Sequence, residues 1–170
     1  MKGSLNAILP EPIGPETEAI ILAHFKRKLK SAAQVTVSLL REMEKRFGSE
    51  ARQVLRHMVA GQKPNPRPTG TGDPRADLHA FCERLEQGCA GSHQWQREVD
   101  EPDRIGYRFT RCLWAEIYRE LGEPELGLYY CAGDEPGVKS VNPKLGFHRS
   151  KVLMQGDDLC DHVFYVEDAT

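Results

Sequence analysis

The chain has 170 residues, 39% of them hydrophobic and 28% charged. That length fits one domain and buries roughly two-thirds of its unfolded surface, so neither disulfides nor a structural metal is required for folding. The composition excludes a collagen-like repeat, a coiled-coil rod and a fully disordered chain. The 23 Lys and Arg nearly balance the 25 Asp and Glu, which gives no global electrostatic reason to bind nucleic acid or an anionic membrane.

The opening MKGSLNAILPEPIGPETEAIILAHF lacks the long apolar run and small-residue cleavage site of a secretory signal. No stretch approaches the roughly 20 apolar residues of a membrane span, and the expected location is the cytoplasm. Five cysteines, an odd number without Cys-x-x-Cys spacing, read as reduced thiols. Cys82 and Cys89 lie two helical turns apart and can share one buried face.

Residues 1–14 are Pro-rich and aperiodic and read as an irregular arm, with a single domain expected over 15–170. Pro15-Glu16-Thr17-Glu18 opens a helix, with acids at the positive end of its dipole. The basic run Lys26-Arg27-Lys28-Leu29-Lys30 reads as a solvated helix face. From Ser31 to Phe47, Val35, Leu39 and Met43 recur every four residues, and Leu40 and Phe47 widen that stripe, the expected buried face. Gly48 ends the helix and Ser49 caps the next, which runs to about Ala60 with Ala51, Val54, Leu55 and Met58 inside.

Residues 61–73, GQKPNPRPTGTGD, read as a loop without a phosphate-binding glycine pattern. Asp73 or Pro74 opens a helix to about Gln87, with Leu78, Phe81, Cys82 and Leu85 inward. Gln94–Val99 and the period-two set Ile105, Tyr107 and Phe109 flank Asp100-Glu101-Pro102-Asp103 and predict a hairpin. Cys112 to Leu121 returns to helical spacing and ends at Gly122. Three strands are then expected, over Leu126–Cys131, Leu145–Leu153 and His162–Val166. The fold class is α+β, with N-terminal helices packed on an antiparallel sheet of about four or five strands.

Chemistry-bearing side chains concentrate between Cys112 and Phe164, at predicted strand ends and in connecting loops. Cys131 is a candidate nucleophile if a base or cation lowers its pKa. Asp134 is placed to orient a water or a protonated nitrogen. His148 and His162 are candidate proton carriers, and Arg149 offers a planar fork for a carboxylate. Asn142, Cys112 and Cys160 complete the candidate substrate-binding set. Packing or turn roles compete at each cysteine and at Asp134. Cys112, Cys131, Cys160 and His162 are also the residue types of a zinc site, but their separations match no compact zinc pattern. No metal or cofactor is expected.

The arrangement resembles the L-2-amino-thiazoline-4-carboxylic acid hydrolase family. The matching elements are Cys112 opening a helix, Leu121-Gly122 near its end, Cys131-Ala132-Gly133-Asp134, Asn142-Pro143, Arg149, and Gly156-Asp157-Asp158-Leu159-Cys160-Asp161. Arg46-Phe47-Gly48 upstream is similar but less specific. Two departures stand out: His162 where an aromatic commonly follows the last Cys-Asp, and Ser150-Lys151-Val152 where a Thr-rich run is usual. The resemblance implies hydrolytic opening of a small cyclic isothiourea bearing a carboxylate, by attack at the carbon between ring sulfur and ring nitrogen. A small-molecule substrate is then the partner, and homo-oligomer formation stays open. A non-catalytic ligand-binding or sensing module, or a biosynthetic enzyme acting on another ring, are the alternatives.

Overall fold

The structure, a computed structural model, describes residues 2–61, 63 and 70–167. The elements are α1 (Pro15–Phe47), α2 (Glu50–Ala60), α3 (Pro74–Cys89), β1 (His93–Glu101), β2 (Arg104–Cys112), α4 (Leu113–Glu120), α5 (Pro124–Cys131), α6 (Asp134–Val141), β3 (Leu145–His148) and β4 (Cys160–Val166). Short 3₁₀ turns lie at Leu5–Ala7 and Leu153–Gln155. The four strands among the described residues form one antiparallel sheet in the order β1-β2-β4-β3, so the chain has the expected α+β architecture. Most of the predicted 61–73 loop lies outside the described residues.

Helix α1 is continuous over 33 residues. Its buried residues are Ala33, Val37 and Leu40, whereas Val35 and Leu39 are 70% and 60% exposed. The stripe read from the sequence is therefore displaced: Leu40 belongs to the core and Met43 packs against it, but Val35, Leu39 and Phe47 face outward. The helix carries two apolar stripes, and tertiary packing chose the one with the smaller residues. In α2, Ala51 and Leu55 are buried while Val54 and Met58 are exposed. Ser49 precedes α2 in a helical conformation with no side-chain capping bond, so the expected cap is absent. At α3 the Asp73 carboxylate does cap, accepting from Arg75 N at 3.0 Å.

The expected strand at Leu126–Cys131 is instead helix α5. Pro124 at its first turn is pre-set for helix, and an acidic–basic network fixes that turn. Buried Glu123 accepts from Arg41 Nε (3.2 Å) and Arg52 Nη2 (2.8 Å), and Arg52 Nη1 reaches Glu125 (3.1 Å). Gly127 allows α5 to press on the 153–155 turn, because a Cβ there would collide with Met154. Residues 134–141, read as loop, form α6. The strand expected over Leu145–Leu153 stops at His148.

One hydrophobic cluster joins α1–α5 to the sheet's inner face, where Trp95, Ile105, Tyr107, Phe109 and Phe164 are nearly inaccessible. Strand register decides which polar groups join them. Phe109 pairs with Cys160, Tyr107 with His162 and Ile105 with Phe164, so alternate residues of β4 point to one face. His93 lies two residues before Trp95 on β1 and pairs with Cys112. No helix among the described residues is long and apolar enough to cross a membrane.

Candidate active site

A cavity of ≈ 210 Å³ opens beside the inner face of the sheet. Its polar lining is Cys89, His93, Cys112, Cys131, Asp134, Arg149, Cys160 and His162, and Leu85, Phe109, Trp114 and Tyr130 supply the apolar wall. Six of the eight predicted site residues therefore converge, from the start of α4, the α5–α6 junction, the segment after β3, and β4. The other two do not. His148 pairs with Val163 on β4 and is exposed. Asn142 is buried and donates through Nδ2 to Asp77 Oδ2 at 2.8 Å.

Local geometry explains the convergence. Helix α5 ends at Cys131, and Ala132 N and Gly133 N donate to Leu128 O and Tyr130 O. The tight turn makes Asp134 the first residue of α6. Beyond β3 the chain is cinched by the carboxylates of the last motif. Asp161 accepts from Ser150 N (2.9 Å), Ser150 Oγ (2.5 Å) and Lys151 N (2.6 Å), and Asp157 accepts from Val152 N (2.6 Å). Leu153 N donates to Cys160 Sγ at 3.1 Å, and Gly156 takes φ +109° to turn the chain, a conformation that favours glycine. These bonds present the Arg149 guanidinium inward, where it also lies 5.4 Å from the Phe147 ring centre.

Arg149 organises the polar centre. Its Nη1 donates to Asp134 Oδ2 at 2.5 Å and its Nη2 to the Cys131 carbonyl at 3.3 Å. Nη1 also lies 3.5 Å from His162 Nε2. A guanidinium only donates, so Nε2 is the imidazole's acceptor side and Nδ1 carries the proton. That Nδ1 is buried without a hydrogen-bond partner. Rings of Phe109 and Phe147 flank it at 4.8 and 5.2 Å between centroids.

Burial governs the protonation states. It pushes the Asp134 carboxyl up to about 6, against the pull of Arg149. It holds His162 down to about 3, with the Arg149 charge and His93 adding to the effect, and His93 down to about 4, with Arg111 adding. Burial raises the thiols of Cys89 and Cys131 to about 12 and Cys160 to about 11, and it raises Cys112 too. At neutral pH the site therefore holds one carboxylate–guanidinium pair, two neutral imidazoles and four protonated thiols. Among the described residues no three His, Cys, Asp or Glu side chains are grouped to hold a metal ion.

Sequence reasoning passed over His93, Cys89, Trp114 and Tyr130. His93 could have been found from its period-two relation to Trp95, and Cys89 from its shared helix face with Cys82. Trp114 and Tyr130 stack at 4.6 Å, a contact between two helices that no local pattern encodes.

The α+β domain thus sets an ion pair and uncharged imidazoles beside one another in a single cavity. The chain belongs to the L-2-amino-thiazoline-4-carboxylic acid hydrolase family, whose profile matches residues 28–164. The matched region contains every residue lining the cavity, and its class is that of a hydrolase. No curated protein matches the chain.

Proposed function

We propose that the cavity hydrolyses a small carboxylate-bearing cyclic isothiourea of the 2-amino-thiazoline-4-carboxylate kind, with water rather than a thiol as the attacking group. The observation that carries this reading is the Asp134–Arg149 pair, half-buried beside a neutral His162 whose Nδ1–H lacks a partner. The substrate has complementary parts: an anionic carboxylate for the Arg149 fork and an electrophilic carbon bonded to nitrogen and sulfur.

Asp134, with its pKa about one unit below neutrality, is deprotonated enough to act as general base and basic enough to take a proton from water. Water adds to the amidine-type carbon as Asp134 accepts its proton. The His162 Nδ1–H is available to hold the developing charge. The ring carbon–sulfur bond then breaks, because a thiolate leaves more readily than an amine anion; the sulfur takes the proton from Asp134, and the ring nitrogen takes the proton that the adduct's hydroxyl gives up as it becomes the carbonyl. The net change is addition of one water, giving an N-carbamoyl product with a free thiol. Cys131 contributes its carbonyl to Arg149 and its neutral thiol to the wall. At a pKa of about 12 its thiolate is scarce at neutral pH, which weighs against the nucleophile role read from the sequence.

Incubation of reduced, purified protein with 2-amino-thiazoline-4-carboxylate, followed by mass spectrometry and thiol titration, tests the reading. One added water with one new thiol is expected. A water gain without new thiol transfers the cleavage to carbon–nitrogen. A thermal shift without product replaces catalysis with binding.

A further inference from the structure

His93 lines the cavity but has no task in the proposed hydrolysis. Its ring is fixed from one side by the end of α3. That helix ends at Cys89, whose carbonyl is one of those a helix leaves unpaired. Ser92 N and Ser92 Oγ both donate to it at 3.1 Å. Ser92 is buried, and its Oγ lies 2.8 Å from His93 Nδ1. A carbonyl only accepts, and a hydroxyl has one proton to give. That proton goes to Cys89 O, so Oγ accepts from His93 and Nδ1 carries the imidazole proton. With the proton on Nε2 instead, one of the two contacts would set lone pair against lone pair.

Nε2 is then a bare acceptor, and it has no partner among the described residues. The orphaned Trp95 Nε1 and His162 Nδ1 are sealed from solvent, whereas His93 Nε2 is not. Burial, with the Arg111 charge, holds the imidazole down to about 4. At neutral pH it accepts a hydrogen bond without taking the proton.

The sheet sets where this acceptor stands. His93 begins β1 and Arg149 follows β3, and these are the outer strands of the order β1-β2-β4-β3, roughly 14 Å apart at the usual strand spacing. Phe109 of β2 and His162 of β4 lie between them, the Phe109 ring centre being 5.7 Å from that of His93 and 4.8 Å from that of His162. The donors Arg149 and His162 thus stand toward β3, and the His93 acceptor stands at β1.

We infer that His93 Nε2 accepts an N–H of the substrate's exocyclic amino group while Arg149 holds its carboxylate, so that His93 selects 2-amino rings over rings lacking an N–H at that position. The inference rests on the reading of the cavity as a site for 2-amino-thiazoline-4-carboxylate. In that molecule the carboxylate and the amino group leave non-adjacent ring carbons, and their outward bonds diverge toward two ends of a cavity. A methyl group has nearly the size of an amino group but cannot donate, so one acceptor separates the two.

Two measurements on the full chain test this. Nitrogen NMR of the wild-type imidazoles should show His93 as the Nδ1–H form, and the Nε2–H form overturns the inference. Binding of 2-amino- and 2-methyl-thiazoline-4-carboxylate is read from tryptophan fluorescence on rapid mixing, before turnover. Wild type should prefer the amino compound by about 10-fold, the scale of one hydrogen bond. H93L should bind both about equally, and H93Q, which keeps an acceptor, should retain part of the preference. A merely structural His93 would weaken both compounds alike in H93L and keep their ratio, which overturns the inference, as does a wild type without preference. Preference without any product upholds His93 and removes hydrolysis alone. Binding of neither compound to wild type overturns both readings.

Discussion

Arg149 Nη1 and Asp134 Oδ2 are 2.5 Å apart, and this bond joins the segment after β3 to the first residue of α6. Each partner also keeps a second task in the cavity, Arg149 toward the Cys131 carbonyl and His162, and Asp134 toward the cavity interior it lines. Replacing Asp134 with Asn retains the shape and removes the proposed base. The expected loss in kcat is about 10²- to 10⁴-fold, the usual range for a general base. The pH profile of wild-type kcat/KM is expected to rise and level off above about 6, the value to which burial lifts Asp134. An unchanged acid limb in D134N assigns that limb to another group.

Arg149→Ala removes the proposed carboxylate fork and frees Asp134. With 2-amino-thiazoline-4-carboxylate, kcat/KM should fall about 10- to 100-fold, the scale of a charge-assisted bond. The analogue lacking the carboxylate should lose far less. Equal losses on both substrates place Arg149 in support of Asp134 alone.

Cys131→Ser separates water attack from thiol attack. With water as nucleophile, the variant should keep activity within about tenfold of wild type, since it loses only wall contacts. A loss beyond about 10³-fold in a folded variant, or a protein-bound adduct in wild type, makes Cys131 the nucleophile.

Stability should rise with pH between about 4 and 6. Folded Asp134 keeps its proton to about pH 6 against 3.8 for the free group, so in that window it favours the folded chain at the acid end. His162 and His93 act oppositely and outnumber it. The fold keeps them neutral to about pH 3 and 4, whereas free imidazoles protonate near 6.5. Through these three groups the unfolded chain binds about one more proton, and stability increases with pH. Urea titrations should find wild type more stable at pH 6.0 than at pH 4.5, and the double variant H93Q/H162Q, which keeps only the Asp134 contribution, more stable at pH 4.5 than at pH 6.0.

Asn142→Ala tests the one buried candidate that does not line the cavity. Asp77 is 2% exposed and accepts from Thr71 N (2.6 Å), Thr71 Oγ1 (3.0 Å), Gly72 N (3.3 Å) and Asn142 Nδ2 (2.8 Å). Losing one donor to a buried carboxylate should cost about 2 kcal/mol of stability and leave KM unchanged. A raised KM at wild-type stability returns Asn142 to the substrate.

The parts of the fold that were legible are those where local pattern and burial coincide. The β1–β2 hairpin shows inward Ile105, Tyr107 and Phe109 flanking a turn, and α3 shows an Asp cap followed by Pro. Residues 126–131, LGLYYC, carry strand-like aromatics, and only the remote bonds from Arg41 and Arg52 reveal why they coil. On α1 two stripes satisfy the same period, and periodicity alone does not say which one meets the core. The candidate site was legible as a list because its motifs lie in one stretch. His93 and Cys89 come from a separate hairpin and helix, and only the sheet register brings them in. The last motif's carboxylates act as clamps on the chain around Arg149, a role that its spacing does not disclose.

The amino-terminal arm has a consequence for handling the protein. Lys2 N donates to Trp95 O (2.9 Å) and Trp95 N to Lys2 O (3.2 Å), and β1 is an outer strand of the sheet. Open ladder groups on such a strand recruit strands from other molecules, and the arm occupies two of them. Material trimmed before Gly3, or fused to a tag that draws Lys2 away, bares the backbone of Trp95. Its tendency to clump on storage should increase even though the cavity and the core are untouched.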